Sequence, residues 1–333
     1  MKTRRLIAGL VIVAVTSAVF CLNAADSLKK ITVAYVATTC EAPIHIAKIK
    51  GFFKEEGLEA DIVLGDWAFI KEGLALGRID ATQGLVMNYL KPIAEGLDAK
   101  FTAGVHHGCL HVMAPKNSPI KTARDLKGKR IGVPSLGSSP WVFAVRVVGD
   151  AGLNYQRDVE WKPYPTNELQ LALEKGQVDA IALADPVAEI LLREGKVRNV
   201  VNMSTDKPYS DEYCCVIVVN GKLAKQDPKT AAAITRAILK ASKWVSAHPQ
   251  EAAEVLVKSK AISGDVALNA SVLKGLDYVP SVSGGKAASQ TAGTSLKKVG
   301  ILDKNVNVDT LTNRSFQSLP GVSDQWIKSV NVN

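Results

Sequence analysis

The sequence lacks several features that would assign it to a common functional class. Beyond residue 25, no stretch approaches the roughly 18 to 20 apolar residues that a membrane-spanning helix needs. No run rich in Lys and Arg is interleaved with aromatic residues, although the formal net charge is +9, so nucleic acid is not expected as a partner. The sequence also has no Gly-x-Ser-x-Gly elbow, no P-loop and no His-Glu-x-x-His, so these hydrolase, nucleotide-binding and metalloprotease motifs give no support for an enzyme.

The N-terminus has the three parts of a secretory signal peptide. Three basic residues within positions 1–5 precede an apolar stretch over 6–20, and small residues follow at 22–25. We therefore expect residues 1–25 to be removed and the protein to act in the periplasm or another extracytoplasmic space. Loss of three basic and no acidic residues lowers the net charge to +6. Cys21 would suggest a lipid anchor, but Phe20 before it is larger than the residue usual at that place.

The remaining chain repeats one α/β unit. The first copy alternates strands with helices, at 31–36, 43–54, 58–64, 68–76 and 79–83. The same order returns at 130–133, 141–149, 159–164, 168–174 and 178–183. Leu74, Gly77 and Asp80 match Leu173, Gly176 and Asp179 at a constant offset, so we expect both aspartates to hold a shared turn rather than a ligand. The pattern predicts two similar α/β lobes.

Two links between the halves are interpreted as a double crossover. Strands at 100–105 and 110–114 form the first link, and an apolar strand at 213–219 forms the second. Helices at 228–246 and 250–259 then return to the first lobe. We therefore assign residues 26–114 and 216–333 to lobe 1, and residues 115–215 to lobe 2. In the C-terminal part, the patch 281–285 is expected to be the most flexible.

The turn at 38–41 and the cysteines are the candidate chemistry. A turn between a strand and a helix presents free N–H groups, which suit an anionic or strongly polar ligand. Glu41 opposes a simple anion there unless it is protonated or paired. After the signal peptide, Cys40, Cys109, Cys214 and Cys215 remain, and disulfides such as Cys40 to Cys109 are the default in an exported protein. The alternative is a site for a soft metal, a metal complex or a thiophilic solute, because imidazoles lie nearby in sequence, at His106, His107 and His111.

Several motifs together resemble one family. They are Gly51-Phe52-Phe53 with Gly57-Leu58, the two Gly-x-x-Asp repeats, Asp125-Leu126-Lys127-Gly128-Lys129, and Asp185-Pro186. The chain resembles the solute-binding proteins of ABC importers, in the branch with nitrate-, sulfonate-, taurine- and pyrimidine-binding members. The resemblance implies an α/β periplasmic-binding-protein fold of type II, with two lobes joined by two hinge strands. It further implies a monomer, without catalysis or cofactor, that delivers a small polar solute to a membrane permease and its cytoplasmic ATPase.

The resemblance places the binding site between the lobes. The first lobe would contribute Thr38, Thr39, Cys40, Glu41, Trp67, Gln83 and Gly84, and the second Ser138, Ser139, Trp141 and Asp185. Further candidates lie at the links: His107, Cys109, Tyr213 and Cys214. The soft-metal alternative would use Cys40, His107, Cys109 and Cys214. A relative of the same fold makes the thiamin pyrimidine with iron and a cysteine-rich run, which Cys214-Cys215 resembles only faintly.

Overall fold

The computed structural model describes residues 27–332, so the predicted signal peptide, including Cys21, lies outside the described residues. The strands of this range, in chain order, are β1 (Lys29–Tyr35), β2 (Leu58–Leu64), β3 (Ala81–Leu85), β4 (Ala99–His107), β5 (Leu110–Pro115), β6 (Arg130–Val133), β7 (Glu160–Pro163), β8 (Ala180–Ala184), β9 (Val197–Asn202) and β10 (Tyr213–Asn220). Among residues 27–332, no helix combines the length and apolar character needed to cross a bilayer.

The α-helices surround these strands, and short 3₁₀ turns lie at 39–41, 123–126, 166–168 and 209–211. The first seven helices are α1 (Ala42–Ile49), α2 (Phe52–Glu55), α3 (Trp67–Leu76), α4 (Val86–Ala94), α5 (Ser139–Asp150), α6 (Leu169–Glu174) and α7 (Val187–Arg193). The others follow the last strand: α8 (Gly221–Gln226), α9 (Pro228–Ala247), α10 (Pro249–Lys258), α11 (Val266–Gly275), α12 (Val282–Val299), α13 (Val308–Ser315) and α14 (Asp324–Ser329).

The two sheets have the same topology. The first has the order β2-β1-β3-β10-β4 and the second the order β7-β6-β8-β5-β9. In each, three strands are parallel, and the fourth strand in the order runs antiparallel to its neighbours. That fourth strand comes from the other half of the chain, because β10 follows the second unit and β5 follows the first. The predicted α/β architecture with a double crossover is therefore confirmed.

The point at which the chain changes sheet differs from the predicted lobe boundaries. Strand β5 pairs with β8 and β9 in the second sheet, although the sequence places residues up to 114 in lobe 1. Strand β10 pairs with β3 and β4 in the first sheet from Tyr213 onward, although residues up to 215 were expected in lobe 2. Both strands are continuous apolar runs, and such a run does not reveal which sheet will bury it. The first crossing is therefore only Gly108-Cys109, between β4 and β5.

The repeated Gly-x-x-Asp motif has the structural role that the sequence predicts. Asp80 accepts a hydrogen bond from the backbone N–H of Thr32 on β1, at 2.8 Å. Asp179 accepts the equivalent bond from the backbone N–H of Arg130 on β6, also at 2.8 Å, and in addition pairs with the Arg130 guanidinium. Each aspartate thus fixes the loop before the third strand of its α/β unit to the backbone of the first strand of that unit.

Three elements are not predicted by the sequence pattern. Helix α4 begins directly after β3, and α7 and β9 lie in the second lobe.

The expected flexibility of the patch 281–285 was wrong. This patch begins the 18-residue helix α12, with the Ser281 side chain accepting from the N–H of Gly284. Its glycines serve close packing, because a Cβ on Gly285 would lie 2.2 Å from the backbone nitrogen of Gly104 on β4. Glycine-rich sequence here reflects contact with a strand and not mobility.

Candidate functional site

A cavity of about 600 Å³ lies between the two lobes. Its wall is built from residues at or just beyond the carboxyl ends of the parallel strands: Val36–Thr38 after β1, 65–67 after β2, 83–85 in β3, 134–135 after β6, 163–166 after β7 and 184–186 after β8. This is where open α/β sheets bind ligands, because strand ends and helix starts leave backbone groups free. The volume suits a small organic solute.

Glu41 shapes the first turn of the cavity wall. Its Oε2 accepts hydrogen bonds from the Val36 N–H at 3.0 Å, the Thr38 N–H at 3.3 Å and the Thr38 hydroxyl at 2.8 Å. Burial, followed by the nearby Cys40 thiol, raises the pKa of Glu41 to about 8 in spite of these donors. The carboxyl is therefore largely protonated at neutral pH, and it acts first as a structural group of the turn.

The rest of this turn is fixed by buried hydrogen bonds. The Thr39 hydroxyl donates to Oδ1 of Asn269 on α11 at 2.9 Å, and the carbonyl of Cys40 accepts from Nε2 of Gln83 at 2.6 Å. The Tyr278 hydroxyl also donates to the Cys40 carbonyl, at 3.0 Å. The turn is thus held by Gln83 of β3, by Asn269 of α11 and by Tyr278 just after α11. Distant parts of the chain therefore set its shape.

The second lobe faces this turn across the cavity and touches the first lobe at its rim. Ser138 and Ser139 begin α5, and the Ser138 hydroxyl donates to the carbonyl of Ser135 at 2.7 Å. Asn88, on α4 of the first lobe, donates through Nδ2 to the carbonyl of Gly137 at 3.1 Å. This bond joins the two lobes beside the cavity, so the lobes are in direct contact there.

The cavity has unused hydrogen-bond acceptors and no cationic side chain. Gln83 Oε1 and Asn88 Oδ1 are buried without a hydrogen-bond partner, whereas Oδ1 of Asp185, which accepts no well-aligned hydrogen bond, lies 3.2 Å from Nε2 of His111. Within the described chain, no Lys, Arg or His belongs to the cavity wall. Buried acceptors of this kind are normally satisfied, and each one left unpaired costs roughly 1 to 3 kcal/mol. The wall is therefore complementary to a ligand that donates hydrogen bonds.

Asp185 is held from behind by a buried histidine. His111 on β5 lies between Asp185 and Asn199. Its Nε2 is 3.2 Å from Oδ2 of Asp185, and its Nδ1 is 3.0 Å from Oδ1 of Asn199. Burial alone would lower the pKa of His111, but the Asp185 carboxylate outweighs it and the pKa is raised. The pair favours an imidazolium beside a carboxylate, which orients the Asp185 side chain at the cavity wall.

Three cysteines reach the wall, and the predicted disulfides are not formed. All four cysteines of residues 27–332 are buried free thiols. The Sγ atoms of Cys109 and Cys214 are 3.4 Å apart, against about 2.05 Å in a disulfide. Hydrogen bonds from Cys109 and Cys215 hold the pKa of Cys40 well below its usual range, while burial raises the pKa of Cys214. The disulfide prediction was wrong, and the alternative, a site for a soft metal, a metal complex or a thiophilic solute, stays a prediction.

Sequence comparison now assigns the family. The profile described as NMT1/THI5 like matches residues 38–252, which is more than half of the chain. The chain belongs to the NMT1/THI5-like family. Among its relatives is the 4-amino-5-hydroxymethyl-2-methylpyrimidine phosphate synthase of Aspergillus parasiticus, 27% identical over 250 residues, which cover 68% of this chain and 69% of the relative.

Solved structures show the same fold. This NMT1/THI5-like protein is similar to the periplasmic aliphatic sulphonate binding protein SsuA of Escherichia coli, with a TM-score of 0.69 and 20% identity over 87% of this chain and 99% of that one. It is also similar to the periplasmic nitrate-binding protein NrtA of Synechocystis PCC 6803, with a TM-score of 0.73 and 16% identity over 87% of this chain and 86% of that one. At these identities the similarity establishes the periplasmic-binding-protein fold.

Most of the residues expected at the site line the cavity of this NMT1/THI5-like protein. They are Thr38, Cys40, Glu41, Trp67, Gln83, Gly84, Cys109, Ser138, Ser139 and Asp185. Thr39 lies behind the wall, bonded to Asn269. Trp141 packs edge-on against Tyr155 and Trp161 on the second lobe. Thr39 and Trp141 were expected at the cavity because they lie in or beside polar turns. The rotation of the helical backbone directs their side chains away from it.

The three remaining candidates at the links do not reach the wall either. His107 turns outward, with Nδ1 3.2 Å from Asp277. Tyr213 donates to the carbonyl of Val279 outside the cavity, and Cys214 is fully buried behind Cys109. Successive residues of a strand point to opposite faces, so His106 faces the thiols in place of His107.

Several lining residues were not anticipated from the sequence. Asn88 and Tyr89 come from α4, the helix that was missed, and Tyr89 packs edge-on against Trp67 at 4.9 Å between ring centroids. The segment 163–166 lies at the end of β7 and just beyond it. Cys215, on β10, was among the four candidate cysteines and also lines the cavity. Applying the strand-end rule to every parallel strand would have found 163–166, since that rule needs only the predicted end of β7.

Proposed function

We propose that this protein is the solute-binding component of an ABC uptake system, exported through its N-terminal signal, which carries a solute to a membrane permease and does not transform it. Three observations support the proposal. The fold is that of the sulfonate- and nitrate-binding periplasmic proteins. A cavity of small-molecule size lies between the lobes, and a hydrogen bond from Asn88 to Gly137 joins them beside it. Capture by closure needs both features.

The cavity chemistry favours a solute with N–H or O–H donors and a flat apolar body over nitrate or a sulfonate. The single observation that carries this choice is the pair of buried amide oxygens without a partner, on Gln83 and Asn88. An anion would leave these acceptors unpaired and would find no cationic side chain in the described wall. Trp67, Tyr89 and Tyr164 supply aromatic surface on which a ring can pack. An aminopyrimidine or a related amino-substituted heterocycle has both features.

A thermal-shift panel followed by calorimetry tests this function. The probes are aminopyrimidines, other amino-substituted heterocycles, nitrate, taurine and short alkanesulfonates, each added to the signal-free protein. We expect stabilisation by the amino heterocycles and none by the anions. Saturable binding of nitrate or alkanesulfonates, with the heterocycles inert, would overturn the ligand class while leaving the transport role.

A catalytic role has one observation in its favour, which is the identity of 27% to a pyrimidine phosphate synthase. The protein incubated with any solute found in the panel, with and without ferrous iron, should return that solute unchanged by mass spectrometry. Turnover, or loss of mass from the protein's own side chains, would replace the transport proposal with an enzymatic one.

A further inference from the structure

Five soft donor side chains meet where the chain crosses between the lobes, and we call them the hinge thiol cluster: Cys40, His106, Cys109, Cys214 and Cys215. Cys109 lies in the two-residue crossing from β4 to β5, and Cys214 and Cys215 begin β10, the strand of the return crossing. All five are buried, with at most 4% of the residue surface exposed. Their proximity follows from the double crossover and from the first turn, and not from any sequence motif.

His106 is oriented as a ligand. Its Nδ1 lies 2.7 Å from the carbonyl oxygen of His107, a contact that requires Nδ1 to carry the proton and donate it. The lone pair is then on Nε2, which is buried and has no hydrogen-bond partner. A backbone carbonyl that fixes the tautomer in this way is the usual support of a metal-bound histidine. Without an ion, the same arrangement leaves a buried acceptor unsatisfied.

The donor atoms lie close to the spacing that one shared ion requires. Atoms bound to one metal at about 2.3 Å lie roughly 3.7 to 4 Å from each other. The ligand atoms of Cys40, His106 and Cys215 all lie within 4.8 Å of one another, and so do those of Cys109, Cys214 and Cys215. Cys215 and His106 are cross-strand partners on β10 and β4, so the backbone fixes their separation. Because the limit of 4.8 Å exceeds this spacing, the side chains would move closer together on binding an ion.

We propose that the hinge thiol cluster binds a soft monovalent metal ion, copper(I), through Cys40, Cys215 and His106. Thiolate sulfur and imidazole nitrogen prefer soft ions over Mg²⁺ or Ca²⁺, and no carboxylate takes part in either set. The preformed sets have three members, which copper(I) accepts as a full coordination shell, whereas zinc takes four ligands. Each thiol that binds the ion releases its proton to solvent.

The site adjoins the solute cavity and shares part of its wall. Cys40 and Cys215 belong to the cavity wall, while His106 does not. The ion would therefore enter through the cavity and bind at its floor, against the buried imidazole. The metal site does not depend on the proposed transport role, because it uses neither of the unpaired acceptors on Gln83 and Asn88.

Copper(I) competition tests the proposal. The signal-free protein, reduced and kept without oxygen, is titrated against the chromophoric copper(I) chelator bicinchoninate, and zinc is titrated in parallel against a zinc indicator. We expect one equivalent of copper(I), with X-ray absorption showing sulfur and nitrogen ligands. Cys40→Ser should weaken the affinity by about 100-fold, and His106→Gln by roughly 10- to 100-fold. His107→Gln is the matched control and should leave the affinity unchanged, because that ring turns outward to Asp277.

Three results would overturn the proposal. They are no copper(I) bound above the level of the double variant Cys40→Ser/Cys215→Ser, equal weakening by His106→Gln and His107→Gln, or stoichiometric zinc without copper(I). If a serine at the buried Cys215 prevents folding, judged by far-UV circular dichroism, the comparison of the two histidine variants still decides. The solute panel gives a separate result, since its probes are tested on metal-free protein, so either idea can fail alone.

Discussion

The backbone N–H of Thr39 donates a hydrogen bond to the carbonyl of Asp185, at 3.1 Å. This bond joins the first turn of one lobe to the end of β8 in the other, at the inner end of the cavity. The bond from Asn88 to Gly137 joins the lobes at the outer end. One contact thus lies near the crossings and one at the rim, and the two should respond differently when the lobes separate.

Removing the rim contact should weaken solute binding without unfolding the protein. Asn88→Ala deletes the hydrogen bond that joins the lobes at Gly137, together with the unpaired Asn88 Oδ1 at the cavity wall. One such bond contributes about 1 kcal/mol, so we expect affinity for the solute identified in the panel to fall roughly three- to tenfold. Calorimetry measures the affinity, and small-angle scattering should show a larger radius of gyration. Asn305→Ala, at an exposed position, is the control; equal affinities for both variants would contradict the rim contact.

The two tryptophans near the turns should behave differently. Trp67 lines the cavity, whereas Trp141 packs against Tyr155 and Trp161 within the second lobe. We expect Trp67→Ala to reduce solute affinity by about tenfold or more, because the ring is a contact surface. Trp141→Ala should lower the melting temperature and change the affinity by less than about threefold. A larger loss of solute affinity in Trp141→Ala than in Trp67→Ala would instead place Trp141 in the binding site.

Glu41 should make stability fall as the pH rises. Its pKa is about 4.5 in a free side chain and about 8 in the folded protein, mainly through burial. Between these values the folded state holds a proton that the unfolded state has lost, so raising the pH favours unfolding. Glu41→Gln keeps an oxygen acceptor for Val36 and Thr38 but cannot ionise. Between pH 5 and pH 9, urea denaturation should show a smaller fall in the free energy of unfolding for the variant than for the unchanged protein. An equal fall in both proteins would contradict the raised pKa of Glu41.

The repeated aspartates should stabilise the two lobes in the same way. Asp80→Ala and Asp179→Ala each leave a backbone N–H of the first strand without its carboxylate partner. A hydrogen bond to a charged group contributes roughly 1.5 to 3 kcal/mol, so both should lower the free energy of unfolding by that order. Asp179→Ala also loses the pair with Arg130, which is partly exposed and adds little. Asp61→Ala, an exposed position on β2, is the control, and chemical denaturation measures all three.

The sequence predicted the elements whose signals are local. Strand β2 has the predicted limits at 58–64, and α9 differs from the predicted helix by one residue at its end. Apolar periodicity and flanking Gly and Pro are sufficient for such elements. The two-lobed architecture followed from a repeated motif, because Gly77 and Asp80 recur as Gly176 and Asp179. Both copies indicate the same turn, so the repeat predicted two similar lobes.

Side-chain direction and strand order could not be predicted in the same way. His106 and His107 are adjacent on β4, and only the pairing of β4 with β10 decides which faces the cysteines. Asp185 meets His111 because β5 joins the second sheet, an exchange that the apolar run of β5 does not encode. The four buried thiols resembled a disulfide set by composition, whereas free-thiol packing depends on distances that only the assembled crossings fix.

The two-residue crossing at Gly108-Cys109 determines which parts of the molecule opening will disturb. In a rigid rotation, displacement grows with distance from the axis, and the axis of two lobes passes near their connecting strands. The Asn88 to Gly137 contact does not involve the connecting strands, so a rotation of the lobes would separate its two groups. Cys109 and Cys215 lie at the crossings, close to such an axis, so their spacing would change little. An ion held there would remain bound whether the lobes are apart or together.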